Sequence, residues 1–444
     1  MPNRPPLALR ARWVFPVAGP PLPDAAVTIA GERIVAVGAP PPTAERIDLG
    51  NVAILPGLVN AHTHLEFSDL SSPLGRPGLP LGDWLATVVA WRRTRSIASA
   101  AAIAKGLAES VASGVTTLAD IATGDWTAAV LADCPLRVTA FYELIGLAAE
   151  RADDCLARAA RHLARQPQSA KDVFAAGNSN APAEHDVAAS AARWLPGLSP
   201  HAPYTVRPDL VARLVALAAR HDVPVAMHLA ESREELELLA HGRGPLVDFL
   251  SELGAWDQTA IPRGTRPLDY LRLLVPAPRA LVVHGNYLAD DEIAFLAAHG
   301  RQFSVVYCPR THAYFGHDPH PIAGMLARGV RVALGTDSRA SSADLSLLAE
   351  MRHVARHGPL DPATVLALGT LAGAEALGLA DQIGSLAVGR QADLAIVALG
   401  DAAAGAADPY ELLLAGDTPV LATVVAGRLI AGRGHFPHWP PAAE

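Results

Sequence analysis

The segment Ile54-Leu55-Pro56-Gly57-Leu58-Val59-Asn60-Ala61-His62-Thr63-His64-Leu65-Glu66 places an apolar run directly before two histidines one residue apart. Along an extended strand successive side chains point to opposite sides, so His62 and His64 share a face. A neutral imidazole nitrogen is a good ligand for zinc or iron, and two of them converging at the end of a buried strand suit a divalent metal. A pair of surface or hydrogen-bonded histidines would show the same spacing. The rest of the chain has to decide between them.

Downstream, apolar runs alternate with Ala/Leu/Arg-rich stretches of helical character, the arrangement that builds parallel sheets. Eight runs fit strands: Leu58 to Ala61, Val115 to Ala119, Arg137 to Tyr142, Gly197 to Ser199, Val223 to Met227, Ala280 to Val283, Phe303 to Tyr307 and Val330 to Leu334. Eight units within residues 57–382 predict an α/β fold of the (β/α)8 TIM-barrel type, although an open doubly wound sheet would alternate in the same way. The two ends of the chain read differently, as short β-like runs separated by turns. Leu7 to Val14, Ala26 to Ile29, Arg33 to Val37 and Val52 to Leu55 at one end, and Ala392 to Val397, Val420 to Val425 and Arg428 to Ile430 at the other, predict that segments 1–56 and 383–444 pair into a small β-sandwich. Two insertions interrupt the barrel pattern. Residues 69–82, rich in Pro and Gly, follow the first strand as a lid or rim, and the polar stretch 166–186 reads as a long surface loop.

Further polar residues stand at the ends of other predicted strands. His228 and Glu231 close the fifth, His284 the sixth, and Asp337-Ser338 the eighth. Active sites of such barrels gather at the C-terminal ends of the strands, and packing alone gives no reason for independent strands to deliver His, His, Glu, His and Asp there. Glu66, two places beyond His64, would lie on the same face if the strand continued, within reach of a heterocycle.

With this ordered set the chain resembles the amidohydrolase superfamily, in its cytosine-deaminase-like and triazine-hydrolase-like branch: His62-Thr63-His64 after strand one, His228-x-x-Glu231 after strand five, His284 after strand six, and Asp337 within Gly335-Thr336-Asp337-Ser338 after strand eight. The resemblance implies that His62, His64, His228 and Asp337 hold one catalytic metal, zinc foremost and iron(II) as the other candidate. It implies that Glu231 is the proton shuttle, that His284 orients the attacking group, and that Asp337 accepts a proton as well as binding metal. His201, in Ser199-Pro200-His201-Ala202-Pro203-Tyr204, is similar to the family's strand-four histidine that contacts substrate. The exit of strand seven departs from the Pro-x-Ser-Asn pattern of many relatives, so Arg310 and His312 are read as contacts to a distinctive substrate group. The implied reaction is deamination of an N-heterocycle or nucleoside by a metal-bound hydroxide, with release of ammonia. The phrases HTHLEFS and CPRTHAYFG point to adenosine-like substrates, aminodeoxyfutalosine among them. A hydrolytic dechlorinase or amide hydrolase could use the same ligands, and a catalytically inactive assembly protein is the remote alternative.

Composition narrows the partners. The 444-residue chain carries a formal net charge of -8 and a pI near 6.1, so it has no basic surplus with which to neutralise phosphates. A small-molecule substrate fits, nucleic acid and membrane do not, and a homo-oligomer stays open. Three unpatterned cysteines, no secretory signal and no long apolar run suggest a soluble cytoplasmic protein. Only Lys105 and Lys171 are lysine. Binuclear relatives bridge two metals with a carboxylated lysine at the end of strand four, and none stands there. One metal is therefore expected, unless a Glu or Cys bridges, and Cys308 is the cysteine nearest the barrel mouth. Trp84 and Trp91, seven residues apart, read as a helical core pair.

Overall fold

The computed structural model describes residues 5–94, 100–123, 128–131, 134–164, 194–400 and 408–439. The insertion expected at 166–186 lies outside them. Five strands come first, β1 (Leu7–Val14), β2 (Leu22–Ala30), β3 (Arg33–Gly38), β4 (Glu45–Asp48) and β5 (Val52–Pro56). Eight more follow: β6 (Leu58–Thr63), β7 (Val115–Ala122), β8 (Arg137–Leu144), β9 (Trp194–Pro200), β10 (Val225–Leu229), β11 (Ala280–His284), β12 (Phe303–Tyr307) and β13 (Val332–Leu334). The chain ends with β14 (Leu394–Ala398), β15 (Val420–Val425) and β16 (Arg428–Ala431).

Strands β6 to β13 lie side by side in sequence order, each parallel to the next. Nearly every residue in them is buried, which is why they read as unbroken apolar runs instead of alternating ones. The sheet curls until its first and last strands meet. Thr63 bridges Asp337 in parallel, and the His62 carbonyl accepts the Thr336 and Asp337 N–H groups at 3.0 and 3.1 Å. That seam makes the nearly closed TIM-type barrel, and it is formed by the residues singled out as metal ligands. Gly335 permits the approach, because a Cβ there would sit 2.8 Å from His62 Cβ and 2.9 Å from its carbonyl oxygen. Strand β10 begins two residues later than expected, after Pro224, which has no N–H to give to the ladder.

The terminal segments do pair: β14 runs antiparallel to β5 in the order β16-β15-β14-β5-β1-β2-β3. They form one connected sheet that branches at β1, where Leu7–Arg10 pair with β4 and Trp13–Val14 with β5. Alternation then divides the side chains between two cores. Val52 and Ile54 of β5 pack with Leu394 and Ile396 of β14 in the small terminal core, while Ala53, Leu55, Ala395 and Val397 face the barrel's core. Strand β4, Glu45-Arg46-Ile47-Asp48, has no apolar signature because it is largely exposed. Among the described residues no helix is long and apolar enough to cross a membrane.

Candidate active site

At the closing seam His62 ends inside β6 and His64 stands one residue beyond it, at the start of a 3-10 turn, Leu65–Phe67. Buried Asp120 of β7 fixes that turn by accepting the Leu65 N–H at 2.9 Å. From β10, His228 donates its Nδ1–H to the His201 carbonyl at 3.0 Å, which leaves the Nε2 lone pair directed into the site. His64 Nε2 and His228 Nε2 then lie 3.3 Å apart, and Asp337 Oδ1 is 3.8 Å from His62 Nε2 and 3.7 Å from His64 Nε2.

These separations suit a cation. Donor atoms about 2.1 Å from a tetrahedral ion stand about 3.4 Å from one another. The donors of His62, His64 and His228 lie within 4.8 Å of one another, as do those of His62, His284 and Asp337. Burial holds the imidazoles neutral, pushing His228 down to about 3 and His62 and His64 well below their ordinary value. Among the described residues, His62 Nε2 and His64 Nδ1 have no hydrogen-bond partner, and both are buried. Burial also pushes the Asp337 carboxyl up to about 7. Neutral nitrogens lacking partners around a carboxylate that is costly to ionise fit a divalent metal. Cys308 is buried at the exit of β12 and belongs to neither donor group.

The carriers of these groups are strained. Ala230, His284 and Asp337 have φ of 53°, 69° and 54°, left-handed values that cost non-glycine residues about 1–3 kcal/mol each. Specific contacts hold them. Glu235 accepts the Ala230 and Glu231 N–H groups at 2.8 and 2.9 Å, Asn286 donates to the Glu231 carbonyl at 2.9 Å, and His320 Nε2 meets the His284 carbonyl at 3.0 Å. The turn so fixed presents the Glu231 carboxyl, whose Oε1 is 3.5 Å from His284 Nε2. Burial, with Asp337 nearby, raises the Glu231 pKa well above the ordinary value.

A cavity opens over this group, lined by His64, His228, Glu231, His284 and Asp337 together with His201, Tyr204, Trp84, Arg92 and Glu143. The structure thus brings together the four expected ligands, Glu231, His284 and His201. Three other expectations are corrected. The strand does not continue to Glu66, which lies in the 3-10 turn and hydrogen-bonds Arg92. Arg310 does not line the cavity, because its Nε and Nη2 are engaged by Glu350 and Asp344 at 2.6 and 2.8 Å. His312 is likewise outside the lining, with its Nε2 on the Asp318 carbonyl at 2.8 Å. Trp84 and Trp91 pack against buried Phe67, Val88 and Ala340 as the core pair expected, and Trp84 also forms part of the cavity wall while its Nε1–H donates to the Ala340 carbonyl. Within the 69–82 segment, Gly78 and Leu74 are pinned by backbone bonds to Tyr314 and Ala340. Sequence reasoning missed Arg92 and Glu143. The only signal for Glu143 was a carboxylate at the end of an apolar run, Phe141-Tyr142-Glu143-Leu144.

The amidohydrolase family matches this chain over residues 53–430. A 5-methylthioadenosine/S-adenosylhomocysteine deaminase of Moorella thermoacetica is 32% identical over 405 residues, covering 86% of this chain and 83% of that protein. An aminodeoxyfutalosine deaminase of Deinococcus radiodurans is 30% identical over 79% of this chain and 81% of its own. An adenosine deaminase of Xanthomonas campestris, solved with bound zinc, superposes with a TM-score of 0.70 at 26% identity, covering 95% of this chain and 92% of that one.

Proposed function

The chain belongs to the amidohydrolase family, as a hydrolase of carbon–nitrogen bonds other than peptide bonds, and from that premise we propose that it deaminates an adenosine-like nucleoside with release of ammonia. One observation carries the reading: a buried, cavity-facing carboxyl, Glu231, is held by a strained turn beside three neutral imidazoles and an aspartate. We assign His62, His64, His228 and Asp337 to one divalent ion, zinc, with no lysine at the end of β9 to bridge a second. When bound, the ion supplies a Lewis acid that brings the pKa of a water towards neutrality. Glu231, whose carboxyl faces the cavity, would take up a proton from water there, which its raised pKa favours, and would then stand within reach to deliver it to the ring nitrogen beside the amino-bearing carbon. His284, whose Nε2 lies 3.5 Å from Glu231 Oε1, orients the attacking oxygen, and Asp337 carries the second proton to the departing amine. His201 Nε2 faces the cavity, its Nδ1 being tied to Thr205 Oγ1 at 2.8 Å, and is positioned to bond a ring nitrogen.

The test is ammonia release by protein of measured zinc content, offered adenosine, 5-methylthioadenosine, S-adenosylhomocysteine, cytosine and a triazine. Release from the adenosine derivatives is expected. Turnover confined to the triazine or cytosine would overturn the substrate assignment.

A further inference from the structure

Between Arg310 and His312, neither of which lines the cavity, stands Thr311, which is buried. It lies in helix Pro309–Phe315 at the exit of β12, and a helical threonine hydroxyl ordinarily turns back to a carbonyl one turn earlier. Among the described residues it does not. Its hydroxyl meets Ser341 Oγ at 2.8 Å, and Ser341, buried in the loop after β13, has that Oγ 3.4 Å from Asp337 Oδ2. Both hydroxyls hydrogen-bond the Asp337 carboxyl. Two polar side chains from separate elements are thus buried against one carboxylate. Valine and alanine would fill the same space without burying two hydroxyls, so packing gives no reason for them.

The other oxygen, Oδ1, faces His62 Nε2 and His64 Nε2 at 3.8 and 3.7 Å. The Asp337 backbone is fixed independently: its N–H donates to the His62 carbonyl at 3.1 Å, and its carbonyl accepts from Thr63 Oγ1 at 2.8 Å. Those bonds leave the carboxylate free to turn about its last, soft torsion. That torsion decides which oxygen meets an ion. A buried donor on Oδ2 settles it, because swinging Oδ2 towards the ion would break that bond and leave a buried hydroxyl unsatisfied. A pair of hydroxyls suits the task, since each carries one proton and two lone pairs, so that Thr311 can donate to Ser341 while Ser341 donates to Asp337. The helix bearing Thr311 is itself held, the Arg310 N–H and Nε both donating to Glu350 at 2.8 and 2.6 Å.

We propose that Thr311 and Ser341 are positioning residues for the metal, a hydroxyl pair that holds Oδ2 of Asp337 and so presents Oδ1 to the ion. The proposal rests on the metal assignment above and is independent of the substrate.

The experiment measures the zinc affinity of the full chain by competition with a chelator, the visible absorption of its cobalt(II)-substituted form, and kcat and KM for adenosine at saturating zinc. Thr311→Val and Ser341→Ala each remove one hydroxyl and are expected to bind zinc about 10- to 100-fold more weakly, the usual effect of losing a partner that orients a ligand. Their cobalt(II) spectra should differ from that of the wild type, and kcat should fall while KM for adenosine stays within about twofold. Thr311→Ser keeps the hydroxyl and should bind zinc within about threefold of the wild type, a rescue that a space-filling role does not predict.

Wild-type affinity and spectrum in folded Thr311→Val overturn the proposal. A raised KM with unchanged zinc affinity also overturns it, and returns the exit of β12 to substrate binding. If Thr311→Val does not fold, Ser341→Ala puts the same question from the loop after β13, and unchanged affinity there contradicts the assignment. A wild type that binds no zinc overturns the metal assignment together with the hydroxyl pair. If zinc binds and adenosine is not deaminated, the nucleoside reading alone fails, and affinity and spectrum still decide the role of Thr311 and Ser341.

Discussion

The exit of β12 leads into Arg310, which with Asp344 and Glu350 forms a closed ion-paired group, whereas the neighbouring seam between β13 and β6 leaves His62, His64, His228 and Asp337 open. Both groups contain a buried carboxylate and both follow apolar strands. In the first, Glu350 is wholly buried and accepts from the Arg310 backbone N–H and Nε at 2.8 and 2.6 Å, and Asp344 takes Nη2 at 2.8 Å. In the second, His62 Nε2 and His64 Nδ1 have no hydrogen-bond partner among the described residues, and the backbone of His284 and Asp337 is held in left-handed conformations. A closed group fastens helix Leu347–His357 to the barrel and has nothing left to offer a ligand. An open one is costly until something binds. Polar residues at strand ends are therefore ambiguous until their partners are known.

The sharpest way to break the comparison is to remove one carboxylate from each side. Glu231→Gln should lower turnover by about 10²–10⁴-fold, the usual worth of a positioned proton carrier, while metal content measured by mass spectrometry stays at one ion per chain. Near-normal turnover would show that the open group does not depend on Glu231. Glu350→Ala should do the reverse. It leaves the Arg310 guanidinium without its main partner and is expected to cost about 3–5 kcal/mol of stability in denaturant melts, while protein that remains folded keeps its substrate preference. A selective loss of substrate binding without loss of stability would return Arg310 to the site.

How far each group was legible in the sequence follows from the same contrast. The parallel strands are buried on both faces, so their apolar runs located all eight, with ends up to three residues off, and the residues directly after them were found as well. His62, His64, His228, His284 and Asp337 each stand within three residues of a strand end. Function sited elsewhere was harder to see. Arg92 lies 26 residues from Glu66, on a helix whose side toward the cavity no local pattern reveals. Glu143 is hidden within a buried strand. Arg310 was read as a substrate contact because the exit of strand seven departs from the pattern of many relatives, while the partner that satisfies it, Glu350, is 40 residues away. Strand β4 was missed because an exposed edge strand requires no apolar residues.

Acid–base behaviour offers a smaller test of the open side. Burial raises the Glu235 carboxyl from 4.5 to about 7, although it accepts two backbone N–H groups behind Glu231. Between those values the folded protein retains a proton that the unfolded chain has released, so stability falls as pH rises through this window and levels off above it. The contribution is at most about 3 kcal/mol. In urea melts at pH 5 to 8, Glu235→Gln should be less stable at the acid end, because an amide oxygen replaces only one of the two acceptors, and should show a flatter decline. An unchanged slope would place the proton elsewhere.

The smallest effect is expected at His312, where the sequence pattern and the geometry disagree most. Its ring lies at the rim, 5.5 Å from those of Tyr307 and His317, and its hydrogen bond is to the exposed Asp318 carbonyl. Removing it frees a carbonyl that water can satisfy, so no buried group is orphaned, and partly exposed substitutions of this kind usually stay within about 0.5 kcal/mol. His312→Ala should therefore change kcat/KM for adenosine by less than about threefold, given that 1.4 kcal/mol is tenfold. His201→Ala removes a ring that does line the cavity, and should cost several times more. If the two variants lost activity equally, the substrate would have to extend beyond Glu231 and His284 to the rim. The boundary between the open, ligand-accepting cavity and the satisfied residues around it would then lie one loop further out.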